Sequence, residues 1–384
     1  MAKKDDREKK IADICAAINK GAFGGDEHNA VTYLGSRDAI ALERFPSGSP
    51  KLDEALGGGW PKGRQAEIFG PESGGKTTLA LHAIAEYQKK YPDDEVALID
   101  TEFSFDQEYA ENIGVNTKYL IVHQPDSGDQ ALNILRQLIQ MGVACIVVDS
   151  VAALTTKAEL DGDLGDQQVA DQARLMSRSL RTLTGEAGRR QATIFWTNQV
   201  REKIGVMWGD KTTTPAGRAL KHYASIRVQI VAIGKNTEQD GKDKIVVSSK
   251  NKATVKKNKT AAPFKVAEFC ISFGHGIDHA AEVLDTAMSF KVVTKKGSTI
   301  SFGEEILAVG HAATLERIRG DVELMARVEK AIEGAKEAGV NPESEKQDEG
   351  DQIKKPSFSK TKKVSATVDE NEEPEVSETK VEDA

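Results

Sequence analysis

The reading of the fold turns on residues 65–91. Gln65-Ala66-Glu67-Ile68-Phe69 is an apolar run, Gly70-Pro71-Glu72-Ser73-Gly74-Gly75-Lys76-Thr77 follows it, and 77–91 carries Leu79, Ala80, Ala83, Ile84 and Tyr87 at helical spacing. The spacing predicts a strand, a glycine-rich loop and an amphipathic helix. The octet fits G-x-x-x-x-G-K-[ST], the pattern of a phosphate-binding loop. Glycines let backbone N–H groups converge on a phosphate without a Cβ in the way. The following helix adds the positive end of its dipole. Gly70, Pro71, Glu72, Ser73, Gly74 and Gly75 are therefore expected to cradle a nucleotide. Lys76 is expected to reach its β- and γ-phosphates, and the Thr77 hydroxyl to ligate Mg²⁺. A chance glycine-rich turn is the bland alternative, and the correct flanks on both sides argue against it.

Two further segments carry carboxylates suited to the same site. Cys145-Ile146-Val147-Val148-Asp149 is an apolar strand ending in an acid, where a metal-bound water would be held. Many buried strands end in Asp, so the pattern gains weight only by following the phosphate loop. Past the strand Ala97-Leu98-Ile99-Asp100 stands Glu102. Either Asp100 or Glu102 is placed to orient and deprotonate an attacking water, and a solvated loop acid is the competing reading.

Working outward, short apolar strands are expected at 95–100, 120–122, 143–149 and 192–197, with helices at 131–141 and 170–184 between them. Runs this short and this apolar suit strands buried on both faces, as in a parallel sheet. After Ser225 strands follow one another at 226–233, 244–249, 253–257 and 265–273, which predicts antiparallel additions. The fold class expected is α/β with a mixed, mostly parallel central sheet. Residues 275–339 read as a small α+β domain, with a helix at 280–289, a hairpin of 291–294 with 299–302, and one or two helices over 314–338. Residues 5–19 predict a helix with Ile11, Ile14, Cys15 and Ile18 on one side, packed on its own core or on a neighbouring subunit. The division expected is 1–41 as an arm, 42–274 as the core, 275–339 as the small domain and 340–384 as a disordered acidic tail.

The chain has 384 residues, 39% hydrophobic and 29% charged, which is ample for a core. No run approaches the roughly 18 apolar residues of a membrane helix, and the N-terminus lacks a signal-peptide pattern. Cys15, Cys145 and Cys270 are scattered and odd in number, which argues against disulfides or zinc and predicts a cytoplasmic protein. The net charge is −8, but 341–384 alone holds thirteen acids and seven bases. Global acidity therefore mostly describes the tail, and a local basic surface remains open.

One such surface is 198–218. It begins at a strand end with Asn198-Gln199-Val200-Arg201, continues through Lys203-Ile204-Gly205-Val206, and closes on Thr212-Thr213-Thr214-Pro215-Ala216-Gly217-Arg218. A loop this long in a compact domain is functional or disordered. Its cations could neutralise nucleic-acid phosphates and Ile204 could wedge between bases; a lid over the nucleotide is the alternative. Lys256-Lys257-Asn258-Lys259 reads by itself as a solvated face.

Several stretches together resemble the bacterial RecA recombinase family. They are Gly70 to Leu79, Gln124-Pro125-Asp126-Ser127-Gly128-Asp129-Gln130-Ala131-Leu132, Val148-Asp149-Ser150-Val151-Ala152-Ala153-Leu154, Gln172-Ala173-Arg174-Leu175-Met176-Ser177, Lys203-Ile204-Gly205-Val206-Met207 and Lys257-Asn258-Lys259-Thr260-Ala261-Ala262-Pro263-Phe264-Lys265. The phosphate loop alone is shared by many ATPases; the co-linear set is specific. The resemblance implies a RecA-like P-loop ATPase core. It implies an ATP- and Mg²⁺-dependent recombinase that polymerises on single-stranded DNA, searches double-stranded DNA and exchanges strands in recombination, repair and the SOS response. It implies Glu102 as the catalytic carboxylate, Thr78, Asp106 and Tyr109 at the nucleotide, Asp149 on the metal through water, and Gln199 as a γ-phosphate sensor. Lys257 and Lys259 take the place of a pair that reaches a neighbouring subunit's γ-phosphate. Residues 161–169 and 200–217 match two DNA-binding loops, with Arg174, Ser177, Arg181, Arg201, Lys203, Ile204, Gly205, Thr213, Thr214, Gly217 and Arg218 at the DNA. Partners implied are the chain itself as a helical homopolymer, single-strand-binding protein, loader proteins and a self-cleaving repressor.

The chain departs from the familiar pattern at Pro215, Ala216 and Arg218, and His222 stands where an interface Phe is usual. Pro215 removes an N–H donor and fixes φ. These departures motivate a second reading, a DNA-bound scaffold or mediator ATPase with weak strand exchange. A hexameric helicase of the same fold is a third, opposed by missing helicase motifs.

Overall fold

The computed structural model describes residues 2–22, 31, 42–162, 171–202, 212–215, 217–240 and 243–340. Its centre is a nine-stranded sheet. In chain order the strands are β1 (Gln65–Gly70), β2 (Val96–Asp100), β3 (Leu120–His123), β4 (Cys145–Asp149), β5 (Thr193–Gln199), β6 (Ile226–Asp240), β7 (Asp243–Asn258), β8 (Val266–Ser272) and β9 (Gly276–Ile277). The spatial order is β9-β8-β7-β6-β1-β5-β4-β2-β3. From β6 to β3 every pairing is parallel, and from β6 to β9 every pairing is antiparallel. The α/β class and the mixed, mostly parallel sheet are as expected.

Burial explains the apolar runs. On β4, Cys145 and Val147 face one cluster with Leu79, Ile84 and Tyr87 of the helix Lys76–Lys90. Ile146 and Val148 face a second cluster with Leu135 of Gly128–Met141 and Leu180 of Asp171–Arg190. Helices cover both sides, so neither strand face can be polar. Local chemistry sets the helix starts: Ser127 caps Gly128–Met141 by accepting from the Gln130 N–H.

Three expectations need correction. The strand at 120–122 is not buried on both faces: it is the sheet edge, with Ile121 and Val122 exposed. Residues 244–249 and 253–257 are not two strands but one, β7, which pairs with β6 as a long hairpin from Ile226↔Asn258 to Asp240↔Asp243. Lys250-Asn251-Lys252 looks like a break in sequence, yet ladder bonds and a buried Asn251 carry the strand through it. In the C-terminal part, the hairpin Val293–Lys296 with Thr299–Phe302 gains a third strand, Glu305–Val309, whose Ile306 and Val309 are exposed.

That part otherwise consists of the helices His279–Ser289, His311–Gly320 and Val322–Glu337, packed on a cluster of their own that includes Leu284, Ile300, Ile318 and Val328. The N-terminal helix is Ala2–Ala22, and its Ile14 and Ile18 are exposed rather than seated in the core. Among the described residues no helix is long and apolar enough to cross a membrane, and Cys15, Cys145 and Cys270 are free. Residues 23–25, the stretch 163–169 of the segment expected as a first DNA-binding loop, the tract 203–211 and the expected acidic tail from 341 on lie outside the described residues.

Candidate nucleotide site and neighbouring loops

The phosphate loop leaves β1 at the C-terminal edge of the parallel strands, where open α/β sheets bind ligands. Gly75 begins the helix at φ +88°, a conformation that favours glycine. Gly70 passes so close to β6 that a Cβ there would strike the Ile230 carbonyl. The loop borders a cavity of about 350 Å³ shared with Thr77, Thr78, Tyr109 and Ser249. Lys76 donates from Nζ to the Pro71 carbonyl at 2.8 Å. Burial pulls its pKa down, against the pull of Asp149, Glu102 and Glu72.

Thr77 Oγ1 donates to Asp149 Oδ2 at 2.7 Å, and Thr197 Oγ1 donates to the other carboxylate oxygen. Burial raises the Asp149 pKa and the two hydroxyls oppose that rise. The hydroxyl and carboxylate form a hard-oxygen pair of the kind Mg²⁺ selects. The β2–β4 register pairs Asp100 with Asp149, which brings the loop after β2 beside the same carboxylate. Glu102 lies on that loop, exposed, and its Oε1 accepts from Ser150 Oγ. Ser150 is itself held by Thr101, whose Oγ1 accepts from the Ser150 N–H and donates to its carbonyl, both at 2.8 Å.

Asp100 is differently employed. It is buried and accepts from the Glu102 N–H, the Phe105 N–H and Gln124 Nε2 at 3.0–3.2 Å. Asp106 caps the helix Gln107–Ile113 by accepting from the Tyr109 N–H at 3.0 Å. Tyr109 closes the cavity rim through a 2.7 Å bond between its hydroxyl and Thr78 Oγ1.

Gln199 ends β5 directly opposite Gly70 in the ladder. Its N–H donates to Asn198 Oδ1, Asn198 Nδ2 donates to Glu67 Oε1 at 3.0 Å, and Glu67 pairs with Arg227. This fully buried carboxylate anchors the strand end that carries Gln199. Lys257 and Lys259 do not line the cavity. Lys257 Nζ donates to the Lys221 and His222 carbonyls at 2.7 and 3.0 Å, and Lys259 Nζ to the His222 carbonyl at 3.4 Å. Desolvation first, then Lys259 and Arg227, lower the Lys257 pKa to about 8.

Arg201-Glu202 pairs antiparallel with Thr212-Thr213 in a short ladder. Lys221 Nζ donates to Thr213 Oγ1 at 2.9 Å. Thr214 is buried, Pro215 half-buried, and Gly217 and Arg218 are exposed. A Cβ at Gly217 would lie 3.2 Å from that of Ala173, which sets the loop against the helix Asp171–Arg190. Arg174 and Arg181 are exposed on that helix with Ser177 half-buried between them, and Arg174 pairs with Asp171 at 3.0 Å. Lys203, Ile204 and Gly205 lie outside the described residues.

Thr197, Ser150, Glu67, Asn198 and Asn251 were not read from sequence as site residues. The available signal is a polar side chain inside or ending an apolar strand, which needs a partner when buried.

A mostly parallel sheet with a phosphate loop on one strand and a metal-suited carboxylate on a neighbour defines the class of P-loop nucleotide-binding α/β proteins. A family model described as the RecA N-terminal domain matches residues 9–278. Protein RecA of Ruminococcus albus is 42% identical over 374 residues, covering 97% of this chain and 90% of the relative. Protein RecA of Fusobacterium nucleatum is 45% identical over 334 residues, 86% of each chain. Protein RecA of Porphyromonas gingivalis is 45% identical over 333 residues, 85% of this chain and 95% of the relative. The chain belongs to the RecA family, the ATP- and DNA-binding proteins of recombination and repair.

Proposed function

We propose that this chain is an ATP-dependent recombinase that forms filaments on single-stranded DNA, hydrolyses ATP there, and pairs and exchanges homologous strands. The observation that carries the reading is the meeting of Thr77, Asp149 and Glu102 at the phosphate loop through the β2–β4 register. Lys76 and the loop N–H groups would hold the phosphates, with Thr78, Asp106 and Tyr109 on the rim. Thr77 and, through water, Asp149 would hold Mg²⁺, which would supply neutralisation of the phosphates' negative charge. Glu102 orients and deprotonates water, and Gln199 senses the γ-phosphate. Lys257 and Lys259 lie away from their own cavity, which supports their use at a neighbour's. Arg174, Ser177, Arg181, Arg201, Thr213, Thr214, Gly217 and Arg218, with Lys203, Ile204 and Gly205, form the DNA surface of this reading. The division near residue 274 belongs to it too, supported by the separate C-terminal hydrophobic cluster. Single-strand-binding protein, loaders and a self-cleaving repressor are the partners the family implies.

Steady-state ATP hydrolysis, with and without single-stranded DNA and across protein concentration and salt, is the first test. Strong DNA stimulation, cooperative in protein and lost at high salt, is expected, followed by strand exchange in a joint-molecule assay. A rate unaffected by DNA would favour the scaffold reading, and fork unwinding by closed rings would favour the helicase.

A further inference from the structure

Asn251 is a fully buried amide in the middle of β7. Its Nδ2 donates to the Gly74 carbonyl at 2.9 Å, and its Oδ1 accepts from Ser249 Oγ at 2.7 Å. A carbonyl only accepts, so the amide must present its nitrogen to the loop. The Gly74–Gly75 peptide is trans, and across a trans peptide the carbonyl and the next N–H point in opposite directions. Drawing the Gly74 oxygen onto β7 therefore turns the Gly75 N–H away from β7. Gly74 and Gly75 border the cavity together with Lys76 and Thr77. A flipped peptide would instead offer a carbonyl oxygen to an anion, which repels it. Glycine on both sides of the bond leaves such a flip sterically cheap, so the loop's own sequence does not prevent it.

We propose that Asn251 is a positioning residue that locks the Gly74–Gly75 peptide with the Gly75 N–H facing the phosphates of a bound nucleotide. The proposal rests on the reading of this cavity as the nucleotide site. It predicts that the amide's donor, not its bulk, sets nucleotide affinity.

The test uses the full chain with Mg²⁺ and no DNA, fluorescent analogues of ADP and ATP, and a pH series from 6 to 9. Asn251→Leu, which keeps the branched heavy-atom skeleton and removes the donor, is expected to weaken ADP and ATP equally, about ten- to hundredfold at every pH. Asn251→Asp is isosteric. Protonated, its hydroxyl donates to the Gly74 carbonyl and binding is close to wild type. As pH rises, the carboxylate faces that carbonyl and affinity falls toward the Leu level. A purely structural role would lower the melting temperature of the nucleotide-free protein without creating a pH-dependent affinity. Wild-type affinity in a cooperatively melting Leu variant overturns the proposal, as does an Asp variant that still binds as tightly as wild type at pH 9. If the Leu variant does not fold, the Asp profile decides. A wild-type protein that binds neither analogue overturns the proposal together with the site reading.

Discussion

Asp100 and Glu102 are two positions apart in sequence and differ in what surrounds them. Asp100 is buried, and its oxygens hold the turn that follows β2. Glu102 is exposed beside the phosphate loop, with Ser150 Oγ on one carboxylate oxygen. A group meant to take a proton from water needs an accessible oxygen at a defined place, and Glu102 meets that description. Glu102→Gln is expected to leave nucleotide affinity within about twofold and to lower DNA-dependent turnover by about 10²–10⁴. Equilibrium binding of a fluorescent ATP analogue and phosphate release on the same sample check both halves. Undiminished turnover would remove Glu102 from the mechanism.

At the scale of elements, one carboxylate ties the C-terminal cluster to the sheet domain. Glu282 on the helix His279–Ser289 accepts from Ser49 Oγ at 2.8 Å and from the Lys51 N–H at 3.2 Å, at the start of the helix Pro50–Leu56. Desolvation raises its pKa from 4.5 to about 7, with Asp53 adding to the rise and Ser49 and Lys51 opposing it. Between those two values the native chain holds a proton that the unfolded chain has released. The stabilisation is complete below about pH 4.5 and is lost as pH rises through about 7. Glu282 is therefore expected to add stability as pH falls from 8 to 6, against buried His82, whose pKa, lowered to about 4, works the other way. Glu282→Gln can still accept both bonds, so it is expected to flatten that slope and to stabilise the protein at pH 8 by about 1–3 kcal/mol. Thermal melts of the two proteins across pH check this, and a slope unchanged in the variant would refute it. β7 is the other connecting element: Asn251 holds the phosphate loop near its middle, and Lys257 and Lys259 stand at and just past its end.

For the whole molecule, the features that a single chain leaves without a role point to assembly. Lys257 and Lys259 rest on backbone carbonyls at 221 and 222, away from their own cavity. Ile14 and Ile18 form an exposed apolar stripe on the N-terminal helix. Lys257→Ala is expected to bind nucleotide normally and to lose about hundredfold or more of DNA-dependent turnover, as when one preorganised donor is removed from a transition state. Mixed with the Glu102→Gln protein, it should regain measurable hydrolysis, because each variant supplies what the other lacks. Wild-type turnover by pure Lys257→Ala, or no recovery in any mixture, would sink the cross-subunit role.

Much of this was legible along the chain because it depends on neighbours in sequence. The phosphate loop, the helix after it and the apolar strand ending in Asp149 declare themselves within a few residues, since loop geometry and helix period are local. Co-linear motifs carried the family. Register and burial are not local, and they decided the rest. That 120–123 is an edge, that β7 runs unbroken through Lys250-Asn251-Lys252, and that Glu305–Val309 adds a third strand depend on which strand lies alongside. The residues 163–169, 203–205 and 341–384 keep only their sequence reading. Sequence alone determined the pattern of a phosphate-binding loop and its candidate acids Asp100, Glu102 and Asp149, because each lies in one contiguous segment. Only the tertiary structure decided that Asp100 braces a turn while Glu102 stays exposed with Ser150 Oγ on its carboxylate, and that Asn251 grips the Gly74 carbonyl. Those facts arise from hydrogen bonds between segments up to 177 residues apart, which no local pattern records.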